Sequence, residues 1–187
     1  MEHLIERLKI QGVNFSEGLN DEQLSVIEET YDISFPEKLR RFYKIGVPYS
    51  DDLNEFPKWN DFSAENIALI REWIASPAKW LLGDVKNGFW IDSWGESPSD
   101  DDTAVHIVSE LLEKSPKLIP IYNHRFLPKL DGVDDPPVIS TVGRDTVFYG
   151  NGLDDYFSCE YLGAKEPKPV SIYIPLWSDI IGNHIMS

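Results

Sequence analysis

Apolar residues recur at helical spacing as far as Leu112 and then give way to short β-type runs; this change of period constrains the fold most. Asn20 with Gln23 three residues later forms a capping-box-like start, and Leu24, Ile27 and Tyr31 follow one helical face. Pro36 predicts the opening of a second helix, because a first-turn proline loses no needed hydrogen bond. Its stripe is Leu39, Phe42 and Tyr43, opposite Lys38, Arg41 and Lys44. A third helix is predicted from Ser63, with Ile67, Ile70, Trp73 and Ile74 inward and Pro77 as its end. Phe89-Trp90-Ile91 reads as a short buried strand and Trp94-Gly95 as a turn. Ser99 then caps a helix that has Asp100, Asp101 and Asp102 in its first turn and Val105, Val108, Leu111 and Leu112 on its buried face.

Beyond this point Leu118 to Tyr122 is a β-like run in which Pro120 demands an edge position or a bulge. Val138 to Thr141 and Thr146 to Tyr149 read as a hairpin across Val142-Gly143-Arg144-Asp145. Leu153, Tyr156, Phe157 and Tyr161 suit an amphipathic helix, and Trp177, Ile180 and Ile181 a last short one. Helices first, then hairpin-linked strands with helices interleaved, predict an α+β fold: a central, mainly antiparallel sheet with flanking helices. A chain of 187 residues without repeats or a flexible linker is expected to form a single domain over 1–187, with its core at about 20–162.

Charge narrows the function classes. Seventeen basic residues stand against 32 acidic ones, for a formal charge of -15 and a pI near 4.5. Such a surface repels phosphate backbones and anionic lipid, so neither nucleic acid nor membrane is an expected partner; a basic protein is. The single Cys159 excludes an internal disulfide and any multi-cysteine zinc site. The start, Met1 to Arg7, lacks the pattern of a signal peptide, and no apolar run approaches the ~20 residues that span a bilayer. A cytoplasmic protein is the expectation.

The candidates for chemistry are individually weak. Asp100-Asp101-Asp102 could offer carboxylates to a hard cation, but acids after an N-cap offset the helix dipole, and consecutive helical residues diverge by about 100°. His106 and Glu110 share a helix face without the paired histidines of a metalloprotease. His124 follows a strand and could act as a general base, yet no nucleophile lies near it in sequence. Cys159 has Asp154, Asp155 and Glu160 for neighbours, which oppose a thiolate. Gly150-Asn151-Gly152 lacks the rest of a phosphate loop and reads as a turn. Neither an enzyme nor a cofactor or metal is expected.

What remains is a surface. Acids cluster at Asp51, Asp52 and Glu55, at Asp131, Asp134 and Asp135, and at Asp154 and Asp155. From Asn87 to Glu113 seven acids, among them Glu96 and Asp100 to Asp102, occur with no Lys or Arg. Tyr49, Phe56, Trp59, Trp90, Trp94 and Tyr156 lie among these clusters. Negative potential steers a cationic protein, and flat rings anchor it once docked. The expected contact residues are Asp51, Asp52, Glu55, Trp59, Trp94, Glu96, Asp100, Asp101, Asp102, Asp134 and Asp135.

Three stretches carry a family resemblance. Ile33 to Tyr43 (ISFPEKLRRFY) is similar to the Leu-Pro-x-x-Tyr/Leu-Arg-x-Phe segment of the SUKH superfamily, the Smi/Knr-like proteins. Leu118 to Pro128 (LIPIYNHRFLP) resembles a second segment of its bacterial members. Pro137 to Ser140, with Asp145 to Phe157 and Glu160, resembles a third, and Phe89-Trp90 with Trp94-Gly95 fits the same pattern. The matches extend over roughly 20–160; Ile45-Gly46 replaces the family's Asn-Gly, and Pro167-Lys168-Pro169 has no counterpart. The resemblance implies an α+β fold with a central antiparallel sheet and an immunity protein that neutralises a polymorphic toxin, often a nuclease, by stoichiometric binding. The alternatives are a regulatory or scaffold module, or a metal-dependent hydrolase built on His124 or His106.

Overall fold

The computed structural model describes residues 1–50 and 55–186. In chain order the elements are α1 (Glu2–Ile10), β1 (Asn14–Glu17), α2 (Asp21–Tyr31), α3 (Glu37–Ile45), β2 (Gly46–Tyr49), α4 (Ala64–Lys86), α5 (Asp101–Lys114), β3 (Leu118–Tyr122), β4 (Arg125–Pro128), β5 (Val138–Val142), β6 (Asp145–Gly150), α6 (Leu153–Tyr161) and α7 (Trp177–Met186). β3 to β6 form an antiparallel meander in sequence order, and β1 pairs with β2 in a separate antiparallel ribbon. The fold is α+β.

The meander divides two apolar cores, because successive strand residues point to opposite faces. Ile119, Ile121, Leu127 and Val138 join one core with α1, α2, α3 and α6. Leu118, Phe126 and Ile139 join the other with the C-terminal half of α4, α5 and α7. Burial on both faces explains why these strands read as unbroken apolar runs rather than alternating ones. Residues of α1 and α7 lie inside these cores, so the packed body extends past 20–162 at both ends.

Local chemistry accounts for the elements. Both bonds of the predicted capping box are present: Gln23 N–H donates to Asn20 Oδ1 at 2.8 Å and Asn20 N–H to Gln23 Oε1 at 2.9 Å. Pro120 sits on the edge strand β3, beside a register shift between Pro120 and Tyr122, as its missing N–H requires. β3 and β4 join through Asn123-His124, with Asn123 at φ 46°, a conformation asparagine tolerates.

Three expectations are corrected. α4 does not end at Pro77 but runs on to Lys86. The carbonyl of Trp73, which a proline at 77 cannot satisfy, accepts the Ser76 hydroxyl at 2.8 Å instead. Phe89-Trp90-Ile91 is no strand; only Ile91 reaches the core, and a 3₁₀ turn follows over Asp92–Trp94. The cap of α5 is Asp100 rather than Ser99, its Oδ1 accepting Thr103 N–H at 2.8 Å. Arg125–Pro128 adds a strand, β4, that the periodicity alone did not mark.

Candidate functional site: an acidic face around three rings

The connection from α4 to α5 carries three half-buried aromatic rings. After α4, Gly88 turns the chain at φ 87° and Phe89 N–H returns to the Asp84 carbonyl at 3.0 Å. Ile91 anchors the segment in the second core, which leaves Phe89, Trp90 and Trp94 half-buried around it. Trp90 and Trp94 meet edge to face at 5.4 Å and 87°, and Phe89 meets Trp94 at 5.6 Å and 89°. Trp90 Nε1–H donates to the Gly95 carbonyl at 2.8 Å, fastening the array to its own loop. Such aromatic pairs contribute about 0.5–1.5 kcal/mol each beyond the area they bury.

Asp92, Glu96, Asp100, Asp101 and Asp102, which lie beside these rings in sequence, are exposed. The Thr103 N–H bond holds the Asp100 carboxyl below the usual carboxylate range, so it is ionised and committed as a cap. Of the expected contact residues, Glu96, Asp100, Asp101 and Asp102 are exposed and Trp94 is half-buried.

The others lie elsewhere. Asp51 and Asp52 fall outside the described residues. Glu55 is half-buried in a separate cleft with Tyr49, Phe56, Tyr122 and Tyr161. Asp134 is exposed in the β4–β5 connection. Asp135 is half-buried and structural: its Oδ2 takes Lys38 Nζ at 2.6 Å and its Oδ1 takes Leu153 N–H at 2.8 Å, at the start of α6. Lys38 pairs with Asp154 as well. Trp59 is corrected outright. It is 0% exposed, with Nε1–H donating to the Tyr43 hydroxyl at 3.0 Å, so it packs the first core and offers nothing to a partner. Phe56 and Tyr156 are buried too.

The chemical candidates stay separate from one another. His106 Nε2 lies 3.4 Å from Glu110 Oε1 on an exposed helix face. Burial, reinforced by Arg125, holds the His124 imidazole below its ordinary value of 6.5. Burial, together with Asp155 and Glu160, pushes the Cys159 thiol up, against a nucleophilic thiolate. Among the described residues no three His, Cys, Asp or Glu side chains converge as a metal cage would require.

Sequence reasoning missed Phe89 as a surface ring, having placed it in a strand. It also missed the outer face of α4, where Trp73, Trp80 and His124 border a groove of about 680 Å³. The signal for the groove was available in the step pattern Leu69, Trp73, Ser76, Trp80, a stripe of its own beside the buried one. No protein-family model matches the chain, and no significant match to it arises among the curated proteins or the solved structures.

Proposed function

We propose that this chain is a protein-binding module, an immunity protein of the cytoplasm that occupies the basic cleft of a toxin through the α4–α5 face. The observation that carries the reading is the edge-to-face array of half-buried Phe89, Trp90 and Trp94, with exposed Asp92, Glu96, Asp101 and Asp102 close to it in sequence. A cleft built for phosphates presents Lys and Arg, and carboxylates arranged around rigid rings meet it with opposite charge and little loss of side-chain freedom. The resemblance to the SUKH superfamily supports the same reading.

Co-expression tests it. The reading expects a toxic domain to be encoded beside this gene, to arrest growth alone and to be harmless with this protein. Asp101→Lys combined with Asp102→Lys keeps the Asp100 cap and should weaken the complex at least tenfold in dilute salt, the difference shrinking as salt rises. Full protection and unchanged affinity in that variant would remove the face from the interface.

A further inference from the structure

The groove on the outer side of α4 has an uneven inventory of polar groups. Its walls are the Trp73 and Trp80 indoles, Glu72, and the β3–β4 turn with Asn123 and His124; the small Ser76 between the indoles opens it. Three of the donors of these groups are committed within the protein. Trp73 Nε1–H goes to the Asn123 carbonyl at 2.8 Å and the Ser76 hydroxyl to the Trp73 carbonyl at 2.8 Å. His124 Nδ1 lies 3.2 Å from Asn123 Oδ1, so the neutral ring donates there and Nε2 is left as an acceptor.

Carboxylate, hydroxyl oxygen, imidazole nitrogen and two π-faces therefore stand ready on the receiving side. An anion would meet Glu72 and a chain of charge -15. A purely apolar group would leave these acceptors unanswered. A planar cation with many donors and no acceptor fits, and guanidinium has five N–H groups and stacks on indole. Glu72 already holds a cation: Lys79 Nζ lies 2.7 Å from its Oε1, in an exposed pair of the kind that is displaced at little cost.

We infer that this groove is a docking site for an arginine side chain of a protein partner, its guanidinium against the Trp73 and Trp80 indoles and on the Glu72 carboxylate. The site shares no residue with the α4–α5 face and goes beyond the reading given to that face.

The probes are capped Gly-Arg-Gly, Gly-Lys-Gly and Gly-citrulline-Gly peptides, titrated at physiological salt against ¹⁵N-labelled protein. Each of the six tryptophans reports through its indole N–H resonance. The arginine peptide should shift the Trp73 and Trp80 signals, bind at least fivefold more tightly than the lysine peptide, and leave Trp90 and Trp94 unmoved. Citrulline, the same shape without charge, should not bind. Trp80→Ala, at an exposed position, and Glu72→Gln should each reduce the affinity at least fivefold. Equal shifts with citrulline, shifts confined to Trp90 and Trp94, or unchanged binding in both variants would overturn the site. Running the same titration on the Asp101→Lys, Asp102→Lys chain separates the two interfaces, because the groove should still bind there even if the toxin reading fails.

Discussion

Tyr43→Phe is a substitution that removes one atom and tests the first core. Tyr43 and Trp59 are 1% and 0% exposed, and the Tyr43 hydroxyl accepts the Trp59 indole N–H at 3.0 Å. Phe35 packs edge to face on both, at 5.4 Å from Tyr43 and 5.2 Å from Trp59, and Tyr31 meets Trp59 at 5.5 Å. Phenylalanine keeps the ring and its neighbours but leaves the indole N–H buried without that acceptor. An orphaned buried donor costs about 1–3 kcal/mol. For a chain of this size each kcal/mol lowers Tm by roughly 2–4 °C, so the midpoint should fall by about 2–12 °C. Urea unfolding followed by far-UV circular dichroism measures the loss, with an unchanged m-value. A cycle with Trp59→Phe should show coupling of about 0.5–3 kcal/mol, since both partners of one bond are removed. An unfolding midpoint that does not move would mean that the indole N–H reaches water, and Trp59 would return to the surface as a contact residue.

Lys38→Met removes the ammonium that joins α3 to Asp135 and Asp154, at an expected cost of about 1.5–3 kcal/mol at neutral pH. Burial alone would lower its pKa, but the two carboxylates outweigh burial and raise it above 10.5. That stabilisation is therefore complete below pH 10.5 and lost as pH rises through the higher folded value, so urea midpoints of wild type and variant should converge in alkali. Gly18→Ala puts a methyl group onto the backbone carbonyl of Lys44, beside the 2.9 Å bond from Leu19 N–H to the Tyr43 carbonyl. Neither backbone can yield without moving α3, so a thermal scan should show a loss of about 1–3 kcal/mol, and an unshifted Tm would contradict that packing.

Where a local interaction decides the structure, the sequence was readable. The Asn20–Gln23 box, the bulge at Pro120 and the hairpin of β5 and β6 each follow from residues within a few positions of one another. Where a distant partner decides, it was not. β1 has four residues and pairs with β2, some thirty positions on, with no periodic pattern to announce it. β4 opens on Arg125, a charge whose partners come only with the fold: Glu160 at 3.5 Å, the Ser140 hydroxyl at 3.0 Å and the Tyr149 ring 3.9 Å beneath its guanidinium. Pro77 stops a helix by rule, and only the Ser76 hydroxyl explains why α4 continues.

The same distinction sorts the acids and the rings of the candidate site. Two tryptophans that the sequence places among acids go to different places, and each finds a partner for its polar edge there. Trp59 finds the Tyr43 hydroxyl and sinks into the core, whereas Trp90 finds Gly95 in its own loop and stays at the surface. Carboxylates divide likewise between those that hold the scaffold and those that do not. Asp135 and Asp154 secure Lys38, Asp155 accepts the N–H groups of Asn151 and Lys168, and Asp100 caps α5, so part of the charge of -15 is bound into the fold. Reversing Asp100 would mix lost docking with a lost cap of about 1 kcal/mol. Asp101 and Asp102 accept no such capping bond, so their reversal costs only the opposition of lysine to the helix dipole, about 0.3–1 kcal/mol each, and should lower Tm slightly while it lowers affinity at least tenfold. A fall in Tm with no loss of affinity would show that this end of α5 serves the helix and not a partner.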